Sequence, residues 1–202
     1  MYKDKLHELQ IVQLLHDQKY HADILCLPVQ RRANHMGLHF AKYAGKFVEA
    51  KLAKDRDSFL SALIDTFIIS LASANMFNIE VGKLSVFDEV KTKKLDTLGV
   101  EIFSFSESKN EDIFTFMADN ITIFQGRIAK SIESLDHMEA YSFRETFEEN
   151  LESIIGSVFV ASTFLKIDLI SKAKERLVSV EKKSIFYGDY ETARMKAQHI
   201  AR

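Results

Sequence analysis

Apolar residues recur at helical spacing through most of the chain. Over residues 4–20, Leu6, Leu9, Val12 or Gln13, and Leu15 mark one side of a first amphipathic helix, which Pro28 keeps from running on. A second helix is expected from about 29 to 54, with Met36, Phe40, Phe47 and Leu52 on its apolar side. Residues 55–58 then form a polar turn in which Asp57 or Ser58 would cap a third helix, residues 57–77. Asn78 supplies the stop, because asparagine tolerates the left-handed conformation that ends helices. Residues 80–94 read as a further helix, buried through Val81, Leu84 and Val90.

Periodicity fails over residues 95–110. Val100, Ile102, Phe103 and Phe105 suit a short extended piece, and the Ser-Glu-Ser-Lys-Asn run a solvated linker. The chain is therefore expected to divide into a half at 1–98, a linker at 99–110, a second half at 111–190 and a tail at 191–202. Residues 111–140 form one long helix through Ile113, Phe116, Ile121, Ile128 and Ile132, and residues 143–165 its antiparallel partner. Ser142 is the expected cap, with Glu145 completing a capping box. Residues 168–183 make the last clear helix. One proline and seven glycines in 202 residues are too few to punctuate many short strands, so the fold class is all-α. The sixteen phenylalanines, with no tryptophan, read as core.

A helical hairpin pattern is present twice, at 40–77 and 127–164, offset by 87. Ile64 and Asp65 match Leu151 and Glu152, Ser70 matches Ser157, Ala74 matches Ala161 and Phe77 matches Phe164. Glu49 and Asp65 are sixteen positions apart, as are Asp136 and Glu152. The shared register points to duplication of a two-helix unit.

Composition narrows the partners. A net charge of −2 with no cationic block gives a phosphate backbone nothing to bind, so nucleic acid is not expected. The single cysteine, Cys26, rules out an intramolecular disulfide and a cysteine-rich zinc site, and fits a reducing compartment. The N-terminus lacks the apolar core of a signal peptide, and the apolar stretch at 62–76 is broken by Asp65, Thr66, Ser70, Ser73 and Asn75. The expectation is a cytoplasmic protein with no membrane partner.

Carboxylates supply the candidate chemistry. Residues three apart share a helix face, so Glu133 with Asp136 and Glu149 with Glu152 could converge between antiparallel helices. Four such groups repel one another unless a hard cation such as Mg²⁺ or Mn²⁺ sits among them, which would support attack of water on a phosphoanhydride. The competing reading is a solvated acidic helix surface. His35 and His39, four apart, are either metal ligands or ordinary structural or surface histidines. There is no glycine-rich phosphate loop and no arguable nucleophile triad, and Gly156 reads as a site of close helix contact.

The segment FAKYAGKFVEA (40–50), with Gly45 and Glu49-Ala50, and the segment LIDTFIISLASANMFNIE (63–80), with Asp65, Ala74-Asn75 and Ile79-Glu80, resemble the all-α nucleoside triphosphate pyrophosphohydrolases. This is the MazG-like group, which includes dimeric dUTPases and phosphoribosyl-ATP pyrophosphatases. The segment ISKAKERLVSVEKKSIFYG (170–188) is similar to the basic helix that follows their catalytic hairpin. The resemblance implies a helical bundle of two fused MazG-like helical-hairpin halves, built within one chain where relatives dimerise. The family's metal motif, E-x-x-E then E-x-x-D, falls on Tyr43, Lys46, Ala62 and Asp65 in the first copy and on Lys130, Glu133, Glu149 and Glu152 in the second. The first copy is thereby expected not to bind metal in the family's way, unless His39 and Glu49 rebuild a site of another design. In the second, Glu133, Glu149 and Glu152 would be the catalytic metal ligands for Mg²⁺ or Mn²⁺, with Asp136 standing in for the fourth and Lys130 competing for Glu133. Lys172, Arg176 and Lys182 would hold phosphate oxygens. The implied activity is release of pyrophosphate from a nucleotide. The alternative expectation is a non-catalytic helical module that binds a nucleotide or a protein partner, with a homo-oligomer left open.

Overall fold

Helix boundaries follow the capping chemistry of the chain. In the computed structural model, which describes residues 2–200 apart from 89, 93, 95, 96, 105–111 and 138, the helices are α1 (Tyr2–Tyr20), α2 (Ala22–Leu25), α3 (Val29–Ala53), α4 (Arg56–Met76), α5 (Leu98–Ser104), α6 (Ile113–His137), α7 (Phe143–Phe164), α8 (Leu169–Glu181) and α9 (Tyr187–Ile200). The described residues contain no strand, and the all-α class holds. Pro28 stands immediately before α3, where its missing N–H is not needed. Lys54 closes α3 in the left-handed region at φ 53°, which makes extended Asp55 the cap of α4 in place of Asp57 or Ser58. The Asp55 carboxylate accepts from the amides of Asp57 and Ser58 at 3.0 and 3.1 Å. Asn78 adopts φ 55° after α4, as its position leads one to expect.

Two segments depart from the sequence reading. The described residues of 80–94 form no α-helix: 3-10 turns at Val81–Lys83 and Ser85–Phe87 are separated by extended Leu84, although Val81 and Leu84 are buried. Apolar residues three apart satisfy a 3-10 turn as well as an α-helix. The expected extended piece is instead the short helix α5, docked on α7 through fully buried Leu98. Its glycine explains the approach, since a Cβ on Gly99 would stand 2.3 Å from the Phe159 carbonyl oxygen. Phe105 and the rest of the expected linker to residue 110 lie outside the described residues, as does residue 111 at the start of the expected second half. Ser142 does precede α7, but its hydroxyl bonds the Glu145 carboxylate and no side-chain bond reaches the backbone.

The two long hairpins share one core. α3 packs against α4 and α6, and α7 completes the ring by packing against α6 and α4. Phe40, Phe47, Phe59, Phe67, Phe147 and Phe159 are fully buried in it, with Phe67 meeting Phe159 edge-on at 5.5 Å between ring centroids. By length and composition α4 is apolar enough to cross a membrane; in the fold its Leu63, Phe67 and Leu71 are fully buried. α1 lies across α4 and α8, anchored by Gln10, whose side chain donates to the Ile79 carbonyl at 2.6 Å and accepts from the Val81 amide at 3.0 Å. Lys166, at φ 58°, ends α7, and Asp168 caps α8 by accepting from the Ser171 amide at 3.0 Å. The chain turns 106° between these helices, which lays α8 over α4.

Candidate functional site

The buried face of α1 changes character along its length. Leu6 and Leu9 are fully buried, but one and two turns further on the buried residues are Gln13 (2% exposed) and His16 (6%), while Leu15 faces out. Polar groups on a face that packing would make apolar call for a reason. They line a cleft of about 250 Å³ enclosed by α1, α2, α3, α4 and α8. Its walls are apolar at Leu14, Ile24, Met36, Ile68, Met76 and Leu177.

At its base lies an ion pair. Asp65 on α4 is 8% exposed, and Arg176, carried over α4 by the turn after α7, donates to both carboxylate oxygens at 2.7 and 3.0 Å. Tyr43 is buried beside them; burial, and then the negative charge of Asp65, push its hydroxyl pKa up. His39 and His35 on α3 line the same cleft, their Nε2 atoms 3.1 Å apart, and Lys42 Nζ lies 3.1 Å from His39 Nδ1. An ammonium group only donates, so Nδ1 accepts and neutral His39 carries its proton on Nε2 toward His35. Burial, then Lys42, His35 and His21, pull the pKa of His39 down to about 4, against an opposing effect of Asp65.

At the α1 end, Gln13 Nε2 donates to Asp17 Oδ1 at 2.8 Å, and His16 Nδ1 stands 3.3 Å from the same oxygen. One potential ligand atom from each of His16, Asp17 and His21 lies within 4.8 Å of the other two, the only such group of three among the described residues. Three buried polar atoms without a protein partner belong to residues of this cleft: Gln13 Oε1, His16 Nε2 and Arg32 Nε. Together they are buried polar groups that the protein itself leaves unsatisfied beside the cleft.

The carboxylates singled out in the sequence are distributed differently. Glu133 is exposed and bonded by Lys130 at 2.8 Å, which holds its pKa low, and His137 is 3.5 Å away. Asp136 and Glu149 are exposed. Glu152 is half-buried and accepts from the Ser85 hydroxyl at 2.7 Å and from the Val86 amide. No three of the four bring ligand atoms within 4.8 Å of one another. Glu49, on α3, is exposed. Of the three basic residues, Lys172 pairs with Glu175 at 2.7 Å and Lys182 is exposed at the end of α8; Arg176 alone lines the cleft.

The acids at matching places in the two hairpins share one arrangement. Asp65, in the first, is tied down by α8, which follows the second. Glu152, in the second, is tied down by the 3-10 turn at Ser85–Phe87, which follows the first. Gly156, one turn beyond Glu152, makes room for that turn, since a Cβ there would stand 3.1 Å from Val86 Cγ2. Each acid is thus clasped by the segment following the other hairpin.

Sequence reasoning reached Asp65, Arg176, His35 and His39 but not His16, Asp17 and His21. Positions i, i+1 and i+5 do not share a helix face, and only the break after Tyr20 gathers them. The one available signal was a histidine and a glutamine in register with Leu6 and Leu9. When the chain is compared with protein-family models, curated proteins and solved structures, none of the three yields a match.

Proposed function

We propose that this chain is a non-catalytic, small-ligand-binding helical protein, a diverged duplicate of a MazG-like hairpin whose occupant enters the cleft between α1, α3, α4 and α8. The observation that carries the reading is the fate of Asp65. It is the one acid the first hairpin retains of the resembled metal motif, and both its oxygens are occupied by Arg176. Glu152 is likewise committed to Ser85 and Val86, and Glu133 to Lys130. Acids already engaged within the chain have fewer oxygens left for a shared Mg²⁺.

The cleft has what a small-molecule site needs: apolar walls and a few converging polar groups. At about 250 Å³ it suits a compact occupant. Arg32, which lines the cleft, favours a ligand with an apolar or aromatic body and one anionic group, of which a nucleoside monophosphate is the test case.

The experiment is a panel of nucleosides, nucleoside mono- and triphosphates and aromatic carboxylates, read by calorimetry and thermal shift, with pyrophosphate release assayed in Mg²⁺. The expected result is saturable binding of an anionic member, weakened at least tenfold by Arg32→Met, with no pyrophosphate formed. Mg²⁺-dependent pyrophosphate release abolished by Glu149→Gln would overturn this reading in favour of the pyrophosphohydrolase. Absence of binding across the panel would overturn it as well.

A further inference from the structure

The break between α1 and α2 builds a constellation that neither helix could present alone. His21 leaves α1 at φ −131° and ψ 33° while its amide still donates to the Asp17 carbonyl at 2.9 Å. On an unbroken helix, residue i+5 would lie about 140° around the axis from residue i. The kink instead brings the His21 ring back to 5.4 Å from that of His16, centroid to centroid.

We propose that His16, Asp17 and His21 bind a divalent transition-metal ion of the zinc class at the edge of the cleft. Three observations converge on this. One potential ligand atom from each residue lies within 4.8 Å of the other two. Ligands of a tetrahedral zinc ion stand about 3.4 Å apart, so side-chain adjustments of roughly 1 Å close the set. Second, His16 is 6% exposed and its Nε2 has no protein partner, a buried polar atom that the packing of α1 leaves unexplained. Third, Gln13 donates to Asp17 Oδ1 at 2.8 Å and orients the carboxylate, as outer-shell partners of metal ligands do.

Donor type selects the metal. Two imidazoles and one carboxylate suit Zn²⁺, Co²⁺ or Ni²⁺, whereas Mg²⁺ takes oxygen ligands almost throughout. Three protein ligands leave a fourth position open, and since His16, Asp17 and His21 all line the cleft, that position faces whatever enters it. The proposal does not rest on the identity of the cleft's occupant and stands or falls by metal binding alone.

The test uses the full chain, stripped with chelator, titrated with Zn²⁺ by calorimetry and with Co²⁺ by visible absorption. The expected result is one equivalent bound, a Co²⁺ ligand-field spectrum of tetrahedral intensity bleached by Zn²⁺, and no competition from Mg²⁺. His21→Ala and Asp17→Asn should each weaken Zn²⁺ at least tenfold, whereas His137→Ala, at an exposed histidine of α6, should not. His16 is packed in the core, so the two half-buried ligands carry the test, with the far-ultraviolet dichroism of each apo variant as the control for folding. Absence of the Co²⁺ spectrum, Zn²⁺ affinity unchanged in both variants, or loss of binding on His39→Ala with retention in His21→Ala would overturn the assignment.

Discussion

Arg176 donates from Nε to Asp65 Oδ1 at 2.7 Å and from Nη2 to Oδ2 at 3.0 Å, joining residues 111 positions apart in a two-pronged bond. Removing the guanidinium strands a carboxylate that is 8% exposed. Breaking a fully buried pair costs about 3–5 kcal/mol, and because Arg176 is a third exposed a smaller loss, about 2–3 kcal/mol, is expected for Arg176→Leu. The double change Asp65→Leu with Arg176→Leu should cost less than either single change, since no charge is then left unpaired. Urea denaturation of the four proteins measures this. Additive losses would mean that the two residues do not act as a pair.

Glu152 and Glu149 separate a structural acid from a surface one. Glu152→Ala leaves the Val86 amide and the Ser85 hydroxyl without their acceptor and should cost about 1–2 kcal/mol. Glu149→Ala, at an exposed position, should stay within about 0.5 kcal/mol of the parent. If both changes were silent in thermal melts, the clasp on the second hairpin would have no energetic weight.

His39 makes stability depend on pH. Its pKa falls from 6.5 to about 4 on folding, by burial and then by Lys42, His35 and His21, against Asp65. Between those values the unfolded chain binds more protons than the folded one, so stability rises with pH across this window. Above about pH 6.5 the contribution is constant; as pH falls toward 4 the stability is progressively lost. His39→Leu should flatten the slope of unfolding free energy against pH between 4 and 6.5. An unchanged slope would assign the dependence to other groups.

Gly99 and Gly45 should respond to alanine in opposite directions. At Gly99 a Cβ would meet the Phe159 carbonyl oxygen at 2.3 Å and Val160 Cα at 2.7 Å, so α5 must lift from α7. A loss of about 2–3 kcal/mol is expected. Gly45, inside α3, has nothing within 4 Å of its Cβ position, and alanine there should stabilise the helix by roughly 0.5–1 kcal/mol. Chemical denaturation distinguishes the signs.

Long helices were legible because they repeat their signal over many turns. α3, α4, α6 and α7 begin and end close to where the apolar spacing places them. α5, at seven residues, offers less than two full turns of periodicity, and its docking depends on the bare backbone of a glycine. The cap of α4 moved to Asp55 because Lys54 takes the left-handed position, which no pattern of apolar residues reveals. For the site, spacing identified acids but not their partners. Lys130 stands one turn from Glu133, whereas Ser85 and Arg176 reach their carboxylates only after chain reversals of 67 and 111 residues. The cleft was least legible, since five helices build it and its most unusual buried residues are polar: Gln13 stood on the apolar side of the first helix only as an alternative to Val12, and His16 not at all.

The crossed clasps bear on how the chain reaches this state. Neither hairpin can shelter its acid until the segment beyond its neighbour has arrived, so the last bonds to form close the longest loops. A fragment ending after the 3-10 turns would contain Asp65 without Arg176, and one beginning at α6 would contain Glu152 without Ser85. The two hairpins are therefore not expected to fold in turn. They should behave as a single cooperative unit, in which unfolding followed by helicity and by tertiary contacts coincides in one transition.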